Sequence, residues 1–185
     1  FMRASGEDLA MLDAVAAGTP ILGICLGLQL LFERGDEGIP ADAPTVATAD
    51  VMGSGAAPGC VFEAAGKRWV RGLGLLHGSC TRLESTRLKV PHVGWDQVHL
   101  TPEGAASPLL EGFAEGANMY FTHSYAVDAD ADEGDVLART HYTRSFPCIV
   151  RTGNVFGCQF HPEKSSAQGQ RILENFARIV KEASA

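Results

Sequence analysis

The 185 residues contain no apolar run near the roughly 18 that a membrane span needs, and the opening FMRASGEDLAML has no basic segment followed by an apolar one. Neither a membrane partner nor a secretory signal is expected, and the cytoplasm is the expected location. Positive charge is scarce: 15 Lys and Arg stand against 22 Asp and Glu, for a net charge of -7, and the basic residues are scattered. A nucleic-acid partner calls for a basic patch or stripe, so none is expected. Paired cysteines are missing as well. Cys25, Cys60, Cys80, Cys148 and Cys158 are odd in number and no two stand C-x-x-C, which argues against a disulfide framework or a structural zinc site. All but Cys25 read as small buried hydrophobes. What is present, 45% apolar and 20% charged residues, suits the core of one domain over residues 1–185.

The pattern along the chain predicts an α/β fold. Residues 5–17 read as a helix, with Ser5 and Asp8 in a capping-box-like spacing and Leu9, Leu12, Val15 and Ala16 on one face. Gly18-Thr19-Pro20 stops it. Residues 21–24 read as a buried strand and 26–34 as a second helix closed by Gly35, a succession that suggests a parallel sheet. Residues 36–71, rich in Pro, Gly, Ala and Asp, read as an insertion holding one hairpin about Ala65-Gly66. Gly53, Gly55 and Gly59 within it lack the strand, helix and Gly-Lys-Ser/Thr of a phosphate loop, so a plain loop is expected. Residues 119–127, 136–142, 148–151 and 155–160 are β-rich, with a turn at Thr152-Gly153-Asn154. Residues 128–135 place Asp128, Asp130 and Asp132 like calcium ligands, but Glu133 and Arg139 stand where that loop needs Gly and Glu, so an acidic surface turn is expected. Ile172, Leu173, Phe176, Ile179 and Val180 mark a final amphipathic helix.

The strongest chemical signal is Gly23-Ile24-Cys25-Leu26-Gly27, between the strand and the second helix. A nucleophile between glycines at such a turn is a nucleophile elbow with Cys in place of Ser. The following helix turns its free N–H groups toward the sulfur, which is expected to favour thiolate, and the Leu26 N–H can donate to an oxyanion. The base is expected in Phe160-His161-Pro162-Glu163. His161 follows a strand's C-terminal end, and Glu163 can turn back to fix its tautomer. His77, His92, His99, His123 and His141 read first as satisfied core or surface histidines.

GICLGLQLLFE from Gly23 and FHPEKS from Phe160 resemble the class I glutamine amidotransferases, which use a Cys-His-Glu triad on a flavodoxin-like open sheet with flanking helices. The resemblance covers Met11 to about Lys181, apart from residues 36–71. Pro91-His92-Val93-Gly94-Trp95, Tyr120-Phe121-Thr122-His123-Ser124-Tyr125 and His161-Pro162-Glu163-Lys164-Ser165-Ser166 resemble one branch of the family, whose ammonia passes to a (β/α)8-barrel cyclase in histidine biosynthesis. The resemblance implies Cys25 as nucleophile, His161 as base and then acid, and Glu163 as orienting carboxylate. It implies Gly27, Gln29, Ser124 and Tyr125 as glutamine contacts, and Pro91, Gly94, Trp95 and Lys164 at the face toward the cyclase in a heterodimer. It implies no metal and no organic cofactor. It also implies strands and a Pro-Gly-x-Gly oxyanion loop ahead of the Ser5 helix. Residues 1–4 hold no such loop, so the sheet is expected to lack strands beside residues 21–24 and the chain alone is not expected to be a competent enzyme. The rivals at this point are another class I glutaminase, such as that of anthranilate synthase or of pyridoxal phosphate synthesis, a binding protein of this fold with a dead site, and a Cys-His peptidase or thiol hydrolase. PHVGW and Lys164 weigh against the first, the intact Cys25, His161 and Glu163 against the second, and Gln29 with Ser124-Tyr125 against the third.

Overall fold

The structure, a computed structural model, describes residues 5–47 and 57–184. Gly53 and Gly55 of the expected loop lie outside them. The chain opens with helix α1 (Glu7–Ala16), strand β1 (Ile21–Ile24), helix α2 (Leu26–Leu31) and strand β2 (Phe32–Gly35). Then come β3 (Thr45–Val46), β4 (Val61–Ala64), β5 (Lys67–Arg71), β6 (Leu76–Arg82) and β7 (His92–Leu100). A one-turn helix α3 (Pro102–Ala105) leads to β8 (Ala117–His123), β9 (Tyr125–Val127), β10 (Val136–His141), β11 (Ser145–Thr152), β12 (Val155–Cys158) and the long helix α4 (Ser166–Ala183).

The strands form two six-stranded sheets, ordered β1-β12-β11-β10-β7-β8 and β3-β4-β5-β2-β6-β9. Among the described residues, parallel pairing is confined to β1 with β12, β2 with β6 and β3 with β4; the other pairs are antiparallel. The parallel sheet expected from the first three elements therefore holds at β1, and the later strands return by turns rather than by helices. Helix α2 is shorter than expected. Phe32 is extended at its C-cap and buried, and residues 32–35 pair with β6 on one side and β5 on the other. Sheet pairing outweighs the helix preference of Glu33 and Arg34, propensity being a weak prior that tertiary context overrides. Helix α1 also differs from its reading. Gly6, in a left-handed conformation, is the N-cap without a side-chain bond, Leu9 is exposed, and the packed side is Met11, Leu12 and Val15.

Residues 36–71 contribute β3, β4 and β5, with the expected Ala65-Gly66 turn, to the second sheet. Their own small core is Phe62 against Trp69, over which Arg34 and Lys67 lie at 4.8 and 4.4 Å from the ring. The acidic turn is tied inward rather than merely solvated. Asp130 accepts from the Ser79 amide and hydroxyl at 2.9 and 3.0 Å and pairs with Arg34, and Asp128 accepts from Thr81 Oγ1 at 2.6 Å.

Close packing of α2 on the first sheet positions the functional turn. Gly23 and Gly157 are register partners on β1 and β12. A Cβ on Gly157 would meet Leu28 Cδ1 at 2.2 Å, and one on Gly23 would meet the Gly27 backbone and Leu31 Cδ1 at 2.7 Å. The paired glycines let the helix lie directly on the strands, with Leu28 and Leu31 wholly buried. Gly23→Ala is expected to cost about 1–3 kcal/mol through overpacking, since the clash is with backbone as well as a side chain. A lowered urea midpoint with an unchanged slope checks this; an unchanged midpoint contradicts the packing account.

Candidate active site

Cys25 directly follows β1 and caps α2 with φ 54° and ψ -108°. A non-glycine residue held at such angles stores about 1–3 kcal/mol of strain and persists only where its surroundings over-determine it. Here they do: the Cys25 N–H donates to the Cys158 carbonyl at 2.8 Å and the Gln29 N–H to the Cys25 carbonyl at 3.3 Å. The elbow is thus locked to β12 behind and α2 ahead. Gly27 is different from Gly23, since a Cβ there meets nothing within 4 Å. Packing gives it no reason to be glycine, and its effect is to leave open space one helical step beyond the sulfur.

His161 reaches the same place from β12. Its amide donates to the Tyr120 carbonyl at 2.9 Å, and the Cys25 thiol is 3.7 Å from the Thr122 carbonyl. These carbonyls are two residues apart on β8, about 7 Å along a strand, so one strand brackets both groups. The His161 Nδ1 is 2.7 Å from Glu163 Oε1. The carboxylate therefore accepts a hydrogen bond from the Nδ1–H, which leaves Nε2 as the acceptor when the ring is neutral. Ser165 pins this turn to β8, donating to the His161 carbonyl at 2.6 Å and accepting from the Tyr120 amide at 3.0 Å.

The expectation of a thiolate-favouring elbow is overturned in direction. Burial pushes the Cys25 thiol up, the Leu26 N–H and Gln159 pull it down, and the charges of Glu37 and Glu163 push it up again, leaving it raised. A helix of six residues directs too little dipole to offset burial. The rate of Cys25 alkylation by iodoacetamide is accordingly expected to keep rising with pH past about 8.5, the ordinary thiol value. A plateau reached near neutrality would contradict this.

Beside the elbow is a cavity of about 120 Å³ walled by Leu26, Gln29, Glu37, Arg71 and Tyr125 among others. Gln29 Nε2 donates to the Tyr125 carbonyl at 2.9 Å and to Gln159 Oε1 at 3.2 Å, and Gln159 Nε2 is 3.7 Å from Cys25 Sγ. Leu26, Gln29 and Tyr125 are thus gathered at one cavity, while Gly27 and Ser124, which links β8 to β9, are not among its lining residues. Two members went unnoticed in the sequence. Gln159 is wholly buried, and a polar residue at the end of an apolar strand was the available signal. Glu37 sits in the segment read as an insertion, where nothing marked it.

Of the four residues expected toward the cyclase, Gly94 is only partly exposed and lies on the other side of β7 from Trp95. Pro91, Trp95 and Lys164 are exposed, Trp95 to 50% of its surface beside an equally open Val93. Trp95 is the register partner of Tyr120 and packs edge-on against it at 5.9 Å, next to the turn that carries His161 and Lys164. Of the other cysteines, all free, Cys80, Cys148 and Cys158 are buried with their thiols pushed up by desolvation, while Cys60 is only half-buried, against expectation.

Residues 2–180 match the family model described as glutamine amidotransferase class-I. Among curated proteins, the chain is 38% identical over 184 residues to the imidazole glycerol phosphate synthase subunit HisH of Geobacillus sp., covering 97% of this chain and 71% of that one. It is 35% identical over 161 residues to the protein of that name from Methanocaldococcus jannaschii, covering 87% and 64%. It therefore spans about two thirds of their length. Among solved structures, a glutamine amidotransferase superposes with a TM-score of 0.59 at 19% identity, covering 97% of this chain and 71% of that one. A GMP synthase subunit from Thermoplasma acidophilum does so with a TM-score of 0.53 at 18% identity, covering 97% and 68%. At such identities these two speak for the fold alone. Among the described residues, no helix is long and apolar enough to cross a membrane.

Proposed function

The chain belongs to the class I glutamine amidotransferase family, and from that premise we propose that it is the glutaminase subunit of an imidazole glycerol phosphate synthase. In this reading it works in the cytoplasm as one half of a heterodimer. It hydrolyses glutamine and delivers the ammonia to a (β/α)8-barrel cyclase, which makes imidazole glycerol phosphate and the aminoimidazole carboxamide ribotide of histidine biosynthesis. The relatives' shared name supports the pathway. The observation that carries the chemistry is the strained Cys25 elbow bracketed on β8 with the His161–Glu163 pair.

Cys25 loses its proton to His161 Nε2, and the sulfur attacks the side-chain amide carbon of glutamine. The oxyanion that forms is met by the Leu26 N–H, which already faces the sulfur. The carbon–nitrogen bond breaks as His161 returns the proton to the leaving nitrogen, releasing ammonia and leaving a γ-glutamyl thioester. Water, deprotonated by His161, then attacks the thioester; the carbon–sulfur bond breaks, His161 returns the proton to the sulfur and glutamate departs. Glu163 holds the imidazole in its tautomer and offsets its transient charge. In the cavity, Gln29 and the Ser124-Tyr125 backbone hold the substrate, and the Glu37 carboxylate suits its α-ammonium group.

A glutamine-shaped electrophile should label Cys25 and spare the other four cysteines: Cys80, which lines the cavity, is buried with its thiol pushed well up by desolvation, whereas Cys25 stands half-buried at the elbow beside it. Peptide mapping that finds the label chiefly on the half-buried Cys60 would overturn the assignment.

A further inference from the structure

The two strands that carry Trp95 and Tyr120 also carry a hydrogen-bonded chain that runs from the surface to the cavity. His92 and His123 are register partners on β7 and β8, and both are buried. His123 Nδ1 is 2.8 Å from the Tyr125 carbonyl, so that nitrogen must bear hydrogen and donate. Burial, with the charges of His92 and His161 nearby, pushes the His123 pKa down to about 4, so its ring is neutral at pH 7 and Nε2 is an acceptor. His92 Nδ1 faces that acceptor at 3.1 Å and must donate to it. The remaining nitrogen of His92 is 2.6 Å from Asp96 Oδ2. Asp96 therefore closes the series at its outer end. Stacking on Phe121 and Tyr142, at 4.8 and 4.0 Å between centroids, fixes the His92 ring in this pose.

At its inner end the chain meets the substrate machinery. The Tyr125 carbonyl that accepts from His123 also accepts from Gln29 Nε2, which bonds Gln159, which faces Cys25. We propose that His123 and His92, with Asp96 closing the series, are positioning residues that hold the Tyr125 carbonyl and through it Gln29 in the orientation the glutamine pocket requires. The proposal rests on reading the Cys25 site as a glutaminase. The histidines touch no substrate; their effect is on binding geometry, not on the sulfur.

Two measurements test this on the full chain. Nitrogen-resolved histidine NMR of the wild-type protein should find His123 protonated at Nδ1 and bare at Nε2 at pH 7, with His92 protonated at Nδ1; a hydrogen on His123 Nε2 overturns the series. In steady-state kinetics, His123→Phe should raise the glutamine KM about tenfold with a smaller change in kcat, while His123→Asn, whose amide can replace the Nδ1 donor, should return KM to within about threefold of wild type. Iodoacetamide should alkylate Cys25 equally fast in all three proteins. Equal KM values for His123→Phe and His123→Asn, or a loss in kcat alone, would overturn the positioning role. A wild-type chain without glutaminase activity in the complex would instead defeat the parent reading, and the NMR result would still judge the hydrogen-bond series.

Discussion

Replacing Cys25 by alanine is expected to lower glutamine hydrolysis on the order of 10⁴-fold or more, while ammonia-dependent synthesis by the complex with its cyclase stays near wild type. The size of the effect follows from the route. Without the sulfur there is no thioester, and water would have to attack an unactivated amide with only the Leu26 N–H and the His161–Glu163 pair to help. The selectivity follows from the division of labour, since the cyclase needs ammonia and not this thiol. The substitution is also mild for the fold: alanine can occupy the elbow, and the backbone bonds from Cys25 to Cys158 and Gln29 do not involve the side chain. Near-normal glutaminase activity in Cys25→Ala would end the assignment of the nucleophile. Loss of both activities together would point to a damaged fold or interface.

The second large effect is expected on docking. In a protein that carries the oxyanion loop implied ahead of the Ser5 helix, the free subunit should hydrolyse glutamine slowly, and the cyclase with its nucleotide ligand should raise the rate by about 10²–10³, the typical worth of one oxyanion donor. The site as described offers the Leu26 N–H as a donor and holds the Cys25 thiol above its ordinary pKa, a resting arrangement with little thiolate. The family resemblance puts a second donor on a loop ahead of the Ser5 helix, and contacts at the Trp95 and Lys164 face would have to bring it into line. That face adjoins the His161 turn through Tyr120 and Ser165, so docking force has a short path to the base. Lys164→Ala should therefore weaken activation or docking while leaving thermal stability close to wild type, because an exposed lysine contributes little to it. Equal steady-state rates with and without the liganded cyclase would rule the switch out.

How far these features can be read from the chain depends on whether the signal is local. Gly23-Ile24-Cys25-Leu26-Gly27 announces its turn because strand, glycines and helix are contiguous, and His161 and Glu163 are two residues apart. The structure adds what spacing cannot say: that Gly23 is glycine for packing against α2, whereas Gly27 leaves space. The end of α2 was misplaced because Phe32-Glu33-Arg34 takes its conformation from β5 and β6, partners distant in sequence. His92 and His123 looked like ordinary core histidines because their significance lies in which nitrogen faces which acceptor, and that exists only once β7 and β8 are paired. The raised thiol of Cys25 was misjudged for a related reason: burial is a property of the assembled core, while a helix N-terminus can be read from sequence.

The most direct test of the whole account is to mix the complex with glutamine, quench it in acid within the turnover time and weigh the peptide that contains Cys25. The account predicts a mass increase of one glutamyl group on that peptide, released by mild base, absent from Cys25→Ala and accumulating when His161 is replaced by a residue that cannot activate water only if acylation itself survives. Glutamate production that proceeds with no adduct on Cys25 at any quench time, or with the adduct on Cys60, Cys80, Cys148 or Cys158, would contradict it.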